Sequence, residues 1–373
     1  MNLNGQNKVI IRTLHGKFWF SNQRYLSKDR TFGSDFLGDY NYGEVNKGYR
    51  STGLCEIICY YGNQLSHREN AKLLQRVSGC ELYCAAQIAN RISEQSARAE
   101  VFFAVRNAGA ELIFPPVDTD IDLYSVGGEE VCYLDDAVGV TRQNAKRQDS
   151  TYVKDKETIQ TDVVMIQRPG GGGYEYLSRT DDADLDLDLE SRVAMTLSRL
   201  YKGKKKLNLV AITDGAQTIR CRLNRLFTDK VNVILDWYHL EKRVREQMSR
   251  LGFKKEEKEV FIKSVMQDLW TGNTFGALTY IDLIIRPEKN ESVKEDLLKY
   301  LQKHRAEIIN YKKRKEAGKC IGSGRGEKGN DQVTAYRQKK KGSAWSPKGS
   351  EALSTLRCLQ LNGYWNSFWQ KTA

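Results

Sequence analysis

The sequence predicts an α/β protein: a core containing a parallel strand–helix–strand unit, interrupted by a long helical insertion and preceded by a small helical region. Three observations carry that expectation. An apolar run at residues 207–212 ends abruptly on Thr213-Asp214-Gly215. A helical pattern follows, with Ile219, Leu223, Leu226 and Phe227 at three- and four-residue steps. A second β-branched run, 231–235, then ends on Asp236, with His239 three residues on. In such a unit the side chains at the carboxyl ends of the strands gather at one edge. An acid there is either a metal ligand or an N-cap for the next helix, and this stretch alone leaves both readings open.

The chain has 373 residues, enough for two or three domains and a sizeable core. Hydrophobic residues make up 40% and charged residues 28%, the balance of a soluble globular protein. Lys and Arg number 59 against 47 acids, a formal charge of +12, which points to a polyanionic partner: nucleic acid first, an anionic membrane surface second. No apolar run approaches the ~20 residues that span a bilayer, which removes an integral membrane protein; of the two polyanions nucleic acid is the expected partner, and no membrane is. The amino end, MNLNGQNKVIIRTLHG, lacks a signal-peptide pattern, and a cytoplasmic location is expected. Cys55/Cys59 and Cys80/Cys84 leave three residues between partners where zinc doublets usually leave two. Both pairs sit in helical text, where packing along one face explains them.

Taken in order, residues 8–26 read as two strands joined at His15-Gly16, within an amino-terminal hairpin-and-loop segment, 1–50. Residues 51–108 divide into three helices broken near Gly62-Asn63 and Ser78-Gly79, with Ser66 and Glu69 forming a capping box. This resembles a helix-turn-helix whose last helix, about residues 81–93, would enter the major groove; a small packing bundle is the alternative. A linker at 109–130, with Pro115-Pro116, precedes the first part of the core, 131–240. There a strand from Val131 runs through Asp135-Asp136, and 163–168 and 174–179 form an antiparallel pair around Pro169 and four glycines. That glycine run lacks the Lys-Ser/Thr of a phosphate-binding loop and is a turn. Residues 181–190 have Leu where a calcium loop needs Gly, and read as an acidic start to the helix ending at Leu200. Residues 241–318 read as a helical insertion broken at Gly272 and Pro287. The last segment, 319–373, holds Gly322, Gly324, Gly326 and Gly329 around Glu327, then an amphipathic helix at about 350–361 and an aromatic tail.

Three acids now stand in order: Asp135 or Asp136 on a first strand, Asp214 at the end of a fourth, and Glu327 on a late helix. This is the order of the ribonuclease H-like fold, whose central first strand lies beside the fourth and faces a carboxylate-bearing helix. Asp135 is preferred because it follows Tyr133 by two on a strand whose side chains alternate. Such a trio could hold two Mg²⁺ ions about 3.5–4 Å apart, with Mn²⁺ able to substitute, because hard cations prefer oxygen ligands.

The motifs ITDGAQTIRCRL, ILDWYHLEKRV and IGSGRGEKG…YRQKKKGSAW resemble those of the DDE transposases of bacterial insertion sequences, and are similar to the Kra family, related to the Mutator-like group. The likeness runs from about Val131 to the carboxyl end, and more loosely over the helix-turn-helix region; the Gly-Ser-Gly before Glu-Lys-Gly is its most specific part. The resemblance implies a transposase that binds terminal inverted repeats and performs Mg²⁺-dependent strand cleavage and transfer. Asp135, Asp214 and Glu327 would be its catalytic, metal-binding trio, with Asp136 as the alternative to Asp135. Asp236 and His239 would match the family's accessory Asp-x-x-His signature, either hydrogen-bonding near the site, contacting the DNA end or simply pairing in the core. Arg325, Lys328, Arg337, Lys339, Lys340 and Lys341 would meet DNA phosphates. Expected partners are double-stranded DNA, both element ends and target, and further copies of the chain, since two ends must be paired; the setting would be the bacterial nucleoid. A non-cleaving DNA-binding derivative and a ribonuclease H-like nuclease or resolvase are the alternatives.

Overall fold

The computed structural model describes residues 2–29, 33–35, 43–44, 48–110, 112–127, 129–143, 158–183, 188–228, 230–285, 287–322 and 324–370. At the amino end β1 (Asn2–Thr13) and β2 (Gly16–Leu26) pair antiparallel, with Thr13 opposite Gly16 across a two-residue turn. Gly16 takes a φ of 120°, which side chains resist, so the turn closes on glycine. The stretch expected as loop contributes three short strands, β3 (Gly33–Asp35), β4 (Gly43–Glu44) and β5 (Gly48–Arg50), giving a sheet ordered β3-β2-β1-β5-β4.

Three helices follow: α1 (Thr52–Gly62), α2 (His67–Ser78) and α3 (Ala85–Arg106). The Ser66–Glu69 capping box is reciprocal, and α2 ends on Gly79 in the left-handed conformation. The third helix begins at Ala85 and not near Glu81, and it runs unbroken to Arg106. Cys80 and Cys84 therefore precede the helix and share no helical face, whereas Cys55 and Cys59 are buried one turn apart on α1. Ile88, Ile92 and Ala99 form the inner stripe of α3, leaving Ala86, Gln87 and Asn90 exposed.

The second sheet organises the rest. It comprises β6 (Val131–Thr141), β7 (Thr158–Gln167), β8 (Tyr174–Thr180), β9 (Leu209–Thr213) and β10 (Asn232–Leu235), in the order β10-β9-β6-β7-β8. β7 lies between β6 and β8 and pairs antiparallel with each, and β9 and β10 run parallel to β6. As the apolar text of 207–212 predicts, β9 is buried along its whole length on both faces. On one face α4 (Leu189–Leu200) and α5 (Gln217–Phe227) pack Val193, Leu197, Ile219, Leu223 and Phe227 against Tyr133, Val164 and Ala211.

The opposite face bears Cys132, Leu134, Met165, Val210 and Ile212, covered by the helical insertion. The insertion consists of α6 (Trp237–Ser249), α7 (Lys255–Trp270), α8 (Thr274–Ile284), α9 (Pro287–Lys303) and α10 (Tyr311–Glu316). It breaks at Gly272 and before Pro287, and also at 250–254 and 304–310. Each Leu, Ile or Val buried here contributes about 1.5–3 kcal/mol, so the insertion completes the core instead of hanging from it. The chain then forms α11 (Gly324–Asn330), a π turn (Asp331–Ala335), α12 (Tyr336–Gln338), α13 (Pro347–Leu361) and α14 (Trp365–Gln370). Contrary to the amphipathic expectation, α13 is buried almost all round, clamped between α3 and β8. Its hydroxyls survive burial because Gln338 bonds Ser350 and Ser354, and Glu100 accepts from Thr355.

Candidate active site

Strand register assembles one edge of the central sheet. Leu134 lies opposite Ile212, and both point into the insertion face. Two residues further on, alternation brings Asp136 to the same face, and Asp214 follows just beyond the end of β9. Asp214 Oδ1 accepts from the Ala216 amide at 2.8 Å, which fixes the turn. At Gly215, φ is 83°, and a Cβ there would stand 2.4 Å from Cε1 of buried His304, so only glycine fits. The cap of α5 is Ala216, so Asp214 is not spent as an N-cap.

Asp236 is. It caps α6, accepting the His239 amide at 2.8 Å, and its own amide donates to Thr213 O. His239 Nδ1 lies 3.5 Å from Asp236 Oδ1, and Nε2 lies 3.7 Å from Glu327 Oε1. Asp236 first, and then Asp214 and Asp136, raise the His239 pKa against the opposing effect of burial. Glu327 stands on α11 with its side chain 56% exposed. That helix lies close to β7 because Gly329 faces Met165: a Cβ would meet Sδ at 2.2 Å.

Asp136 bonds the Ala137 amide at 2.8 Å and accepts from Asn330 Nδ2 at 2.6 Å. Its pKa is pushed up to about 6, by burial first and then by Asp214 and Glu327, against the Ala137 bond and His239. Asp135, the preferred first ligand, points the other way. It is 1% exposed, accepts from Tyr133 Oη at 2.9 Å and pairs with Arg222 at 2.6 Å; Arg222 also pairs with Asp162. The alternation that links it to Tyr133 is real, but Tyr133 belongs to the α5 face, so the same parity takes Asp135 away from Asp214 and Glu327.

The donor types would suit a hard dication: Asp214 and Glu327 both act on Asp136, and His239 acts on it in the opposite sense. They stand open, and among the described residues no three His, Cys, Asp or Glu side chains are close enough to grip one ion.

The expected phosphate contacts divide. Lys328, Lys339 and Lys341 are exposed. Lys340 donates to Gln64 O at 2.9 Å and lies over the Tyr336 ring. Arg337 is withdrawn altogether: buried, it donates to Gly62 O at 3.0 Å and lies 4.7 Å over the Trp345 ring, and burial brings its pKa down to about 10. The side chain of Arg325 lies outside the described residues. Sequence reasoning missed Asn330, although its place three residues after Glu327 on one helix is a readable signal. It also missed His304 and Tyr238, which have none; a Cβ at Gly322 would strike the Tyr238 ring at 2.6 Å.

The fold and this edge define a mixed α/β protein with carboxylates at one edge of a central sheet, beside a carboxyl-terminal helix. Residues 85–370 match an uncharacterised protein family, UPF0236, and the chain belongs to that family. No curated protein matches it. Among solved structures, the Drosophila P element transposase strand transfer complex is similar over 83% of this chain and 92% of that one, at 10% identity and a TM-score of 0.35. A likeness that distant carries no argument about activity. Among the described residues no helix is long and apolar enough to cross a membrane.

Proposed function

We propose that the chain is a DDE transposase with a ribonuclease H-like core, binding the inverted repeats of an insertion sequence and cutting and transferring DNA strands with Mg²⁺ held by Asp136, Asp214 and Glu327. The observation that carries this reading is the strand register that brings Asp136 and Asp214 to one face, with Glu327 of α11 3.7 Å from His239 beside them. The strand order supports it too: counting β6 as first, the sheet runs 5-4-1-2-3, with the first strand central beside the fourth. Bound Mg²⁺ would lower the pKa of the attacking water or 3′-hydroxyl and offset charge on the phosphoryl oxygens. The chain's own residues do the positioning. Ala137 N–H and Asn330 fix Asp136, the Asx turn fixes Asp214, and Asp236 steers His239 so that Nε2 can hold a proton beside Glu327. Lys328, Lys339 and Lys341 offer exposed charge to phosphates, and pairing two DNA ends calls for at least a dimer.

Purified protein with DNA from the flanks of its gene should nick at the element termini in Mg²⁺, and Asp214→Ala and Glu327→Ala should abolish nicking. Undiminished nicking by either variant would sink the assignment. The open spacing of the acids favours a second reading, a derivative that recognises the ends without cutting. End-specific binding with no cleavage in Mg²⁺ or Mn²⁺ would select it, whereas cutting without preference for inverted repeats would select a nuclease or resolvase.

A further inference from the structure

The middle of the amino-terminal hairpin is a two-stranded ribbon with open edges. β3 joins β2 only at residues 24–26 and β5 joins β1 only at residues 11–12, so among the described residues 6–10 and 19–23 pair with each other alone. Directly opposed residues of an antiparallel pair share a face. One face therefore carries Lys8 opposite Ser21, Ile10 opposite Trp19 and Arg12 opposite Lys17. Lys8, Lys17, Trp19 and Ser21 are exposed there, Trp19 to 72%. The other face is turned to the protein: Asn22 is fully buried, its Nδ2 donates to Tyr49 Oη at 3.0 Å, and Val9 and Phe20 are half-buried. It opens towards the turn, where Phe18 is 50% exposed. Residues 1–28 contain Lys8, Arg12, Lys17, Arg24 and Lys28 and no Asp or Glu; the acids of this sheet, Asp35 and Glu44, lie on its outer strands. The helix expected to enter a DNA groove has no such charge, because the one cation of residues 81–93, Arg91, is paired with Glu94 at 2.7 Å. Arg12 links the two regions, its Cζ 5.4 Å from the ring centroid of Tyr83, just before α3.

We propose that this ribbon is a contact surface for duplex DNA, laid in the major groove with the face of Lys8, Lys17, Trp19 and Ser21 towards the bases. It rests on the reading of DNA as the partner and assigns the contact to a surface which that reading leaves unassigned. The major groove, about 12 Å wide, admits a two-stranded β-ribbon, and the open edges at 6–10 and 19–23 leave no third strand in the way. Lys8 and Lys17 meet the flanking phosphates. Ser21 Oγ donates to Gln6 Oε1 at 3.2 Å on the exposed surface, and both side chains can exchange that bond for the donors and acceptors of a base edge. Trp19 offers a flat apolar surface to a thymine methyl or a sugar. The same polar groups argue against an anionic membrane as the occupant, since an acyl layer offers Gln6 and Ser21 no hydrogen-bonding partner.

The test is the anisotropy of a labelled duplex from the flank of the gene, titrated with the full-length protein over a series of salt concentrations. The double variant Lys8→Ala, Lys17→Ala should weaken binding about tenfold and lower the slope of log K against log salt by about two units. Trp19→Ala should weaken binding about fivefold with the slope unchanged. Because these side chains are exposed, the melting temperatures should match the wild type. In the unaltered protein the duplex should also shield Lys8 and Lys17 from acetylation, read by mass spectrometry. Full duplex binding by both variants, or equal acetylation with and without DNA, would overturn the surface and leave the transposase reading standing. Tighter binding of the matching single strand would overturn the groove docking. Binding to phosphatidylserine vesicles that the variants lose, while they keep the duplex, would give the face to a membrane instead. A wild-type protein that binds no duplex at all would sink the transposase reading and the ribbon together.

Discussion

Asp135 and Asp136 are neighbours in the chain and lie on opposite faces of β6, and their surroundings differ in kind. Asp135 is enclosed with a cation, a phenol and a second acid that shares the cation. Asp136 sits at a partly open edge among acids, with an amide and an asparagine for partners and an imidazole nearby. Burying a charge is tolerable when a guanidinium is built in beside it, and that side chain is then structural. Burial pushes both pKa values up, Asp135 to about 7 and Asp136 to about 6, but the further acids that add to the rise differ: Asp162, itself paired with Arg222, for Asp135, and Asp214 and Glu327 for Asp136.

The largest expected effect separates the two acids by activity. Asp136→Asn should remove detectable nicking with an unchanged melting temperature, and Asp135→Asn should keep nicking at a lower melting temperature. A cleavage assay alongside a thermal melt checks both; the reverse pattern would return the first ligand to Asp135. Next in size, Arg222→Met strands Asp135 and should cost about 3–5 kcal/mol in a urea titration.

A third acid, Glu351 on α13, sharpens the contrast because it is buried with weaker support. Burial first, and Glu100 after it, push its pKa up to about 7 against Arg192 and the Thr180 bond. The folded pKa thus lies above the unfolded value. The associated stability is complete below the unfolded pKa of 4.5 and is lost as pH rises through about 7. Glu351→Gln should therefore stabilise the protein at pH 8 by on the order of 2–3 kcal/mol and flatten its stability between pH 4.5 and 7.

The smallest effects test the same division among cations. Lys339→Ala and Lys341→Ala should leave stability within about 0.5 kcal/mol, and each should lower the salt dependence of DNA binding by about one unit of slope. Arg337→Ala should instead cost about 1–3 kcal/mol by orphaning Gly62 O, with the salt slope unchanged.

Much of this was legible in the chain because the signals were local. The hairpin at His15-Gly16, the Ser66–Glu69 cap, the antiparallel pair around Pro169 and the breaks at Gly272 and Pro287 each depend on a few adjacent residues. Asp214 at the end of a buried strand and Glu327 on a glycine-framed helix were readable for the same reason. Register was not. Alternation tells that Tyr133 and Asp135 share a face, but only the pairing of Leu134 with Ile212 tells which face looks towards Asp214. Nor could local text reveal that α13 is enclosed or that Arg337 turns inward to Gly62, because each depends on segments far apart in the chain coming together. Local propensity set the elements; long-range packing decided which of their side chains face one another, and so on which face of β6 each acid lies.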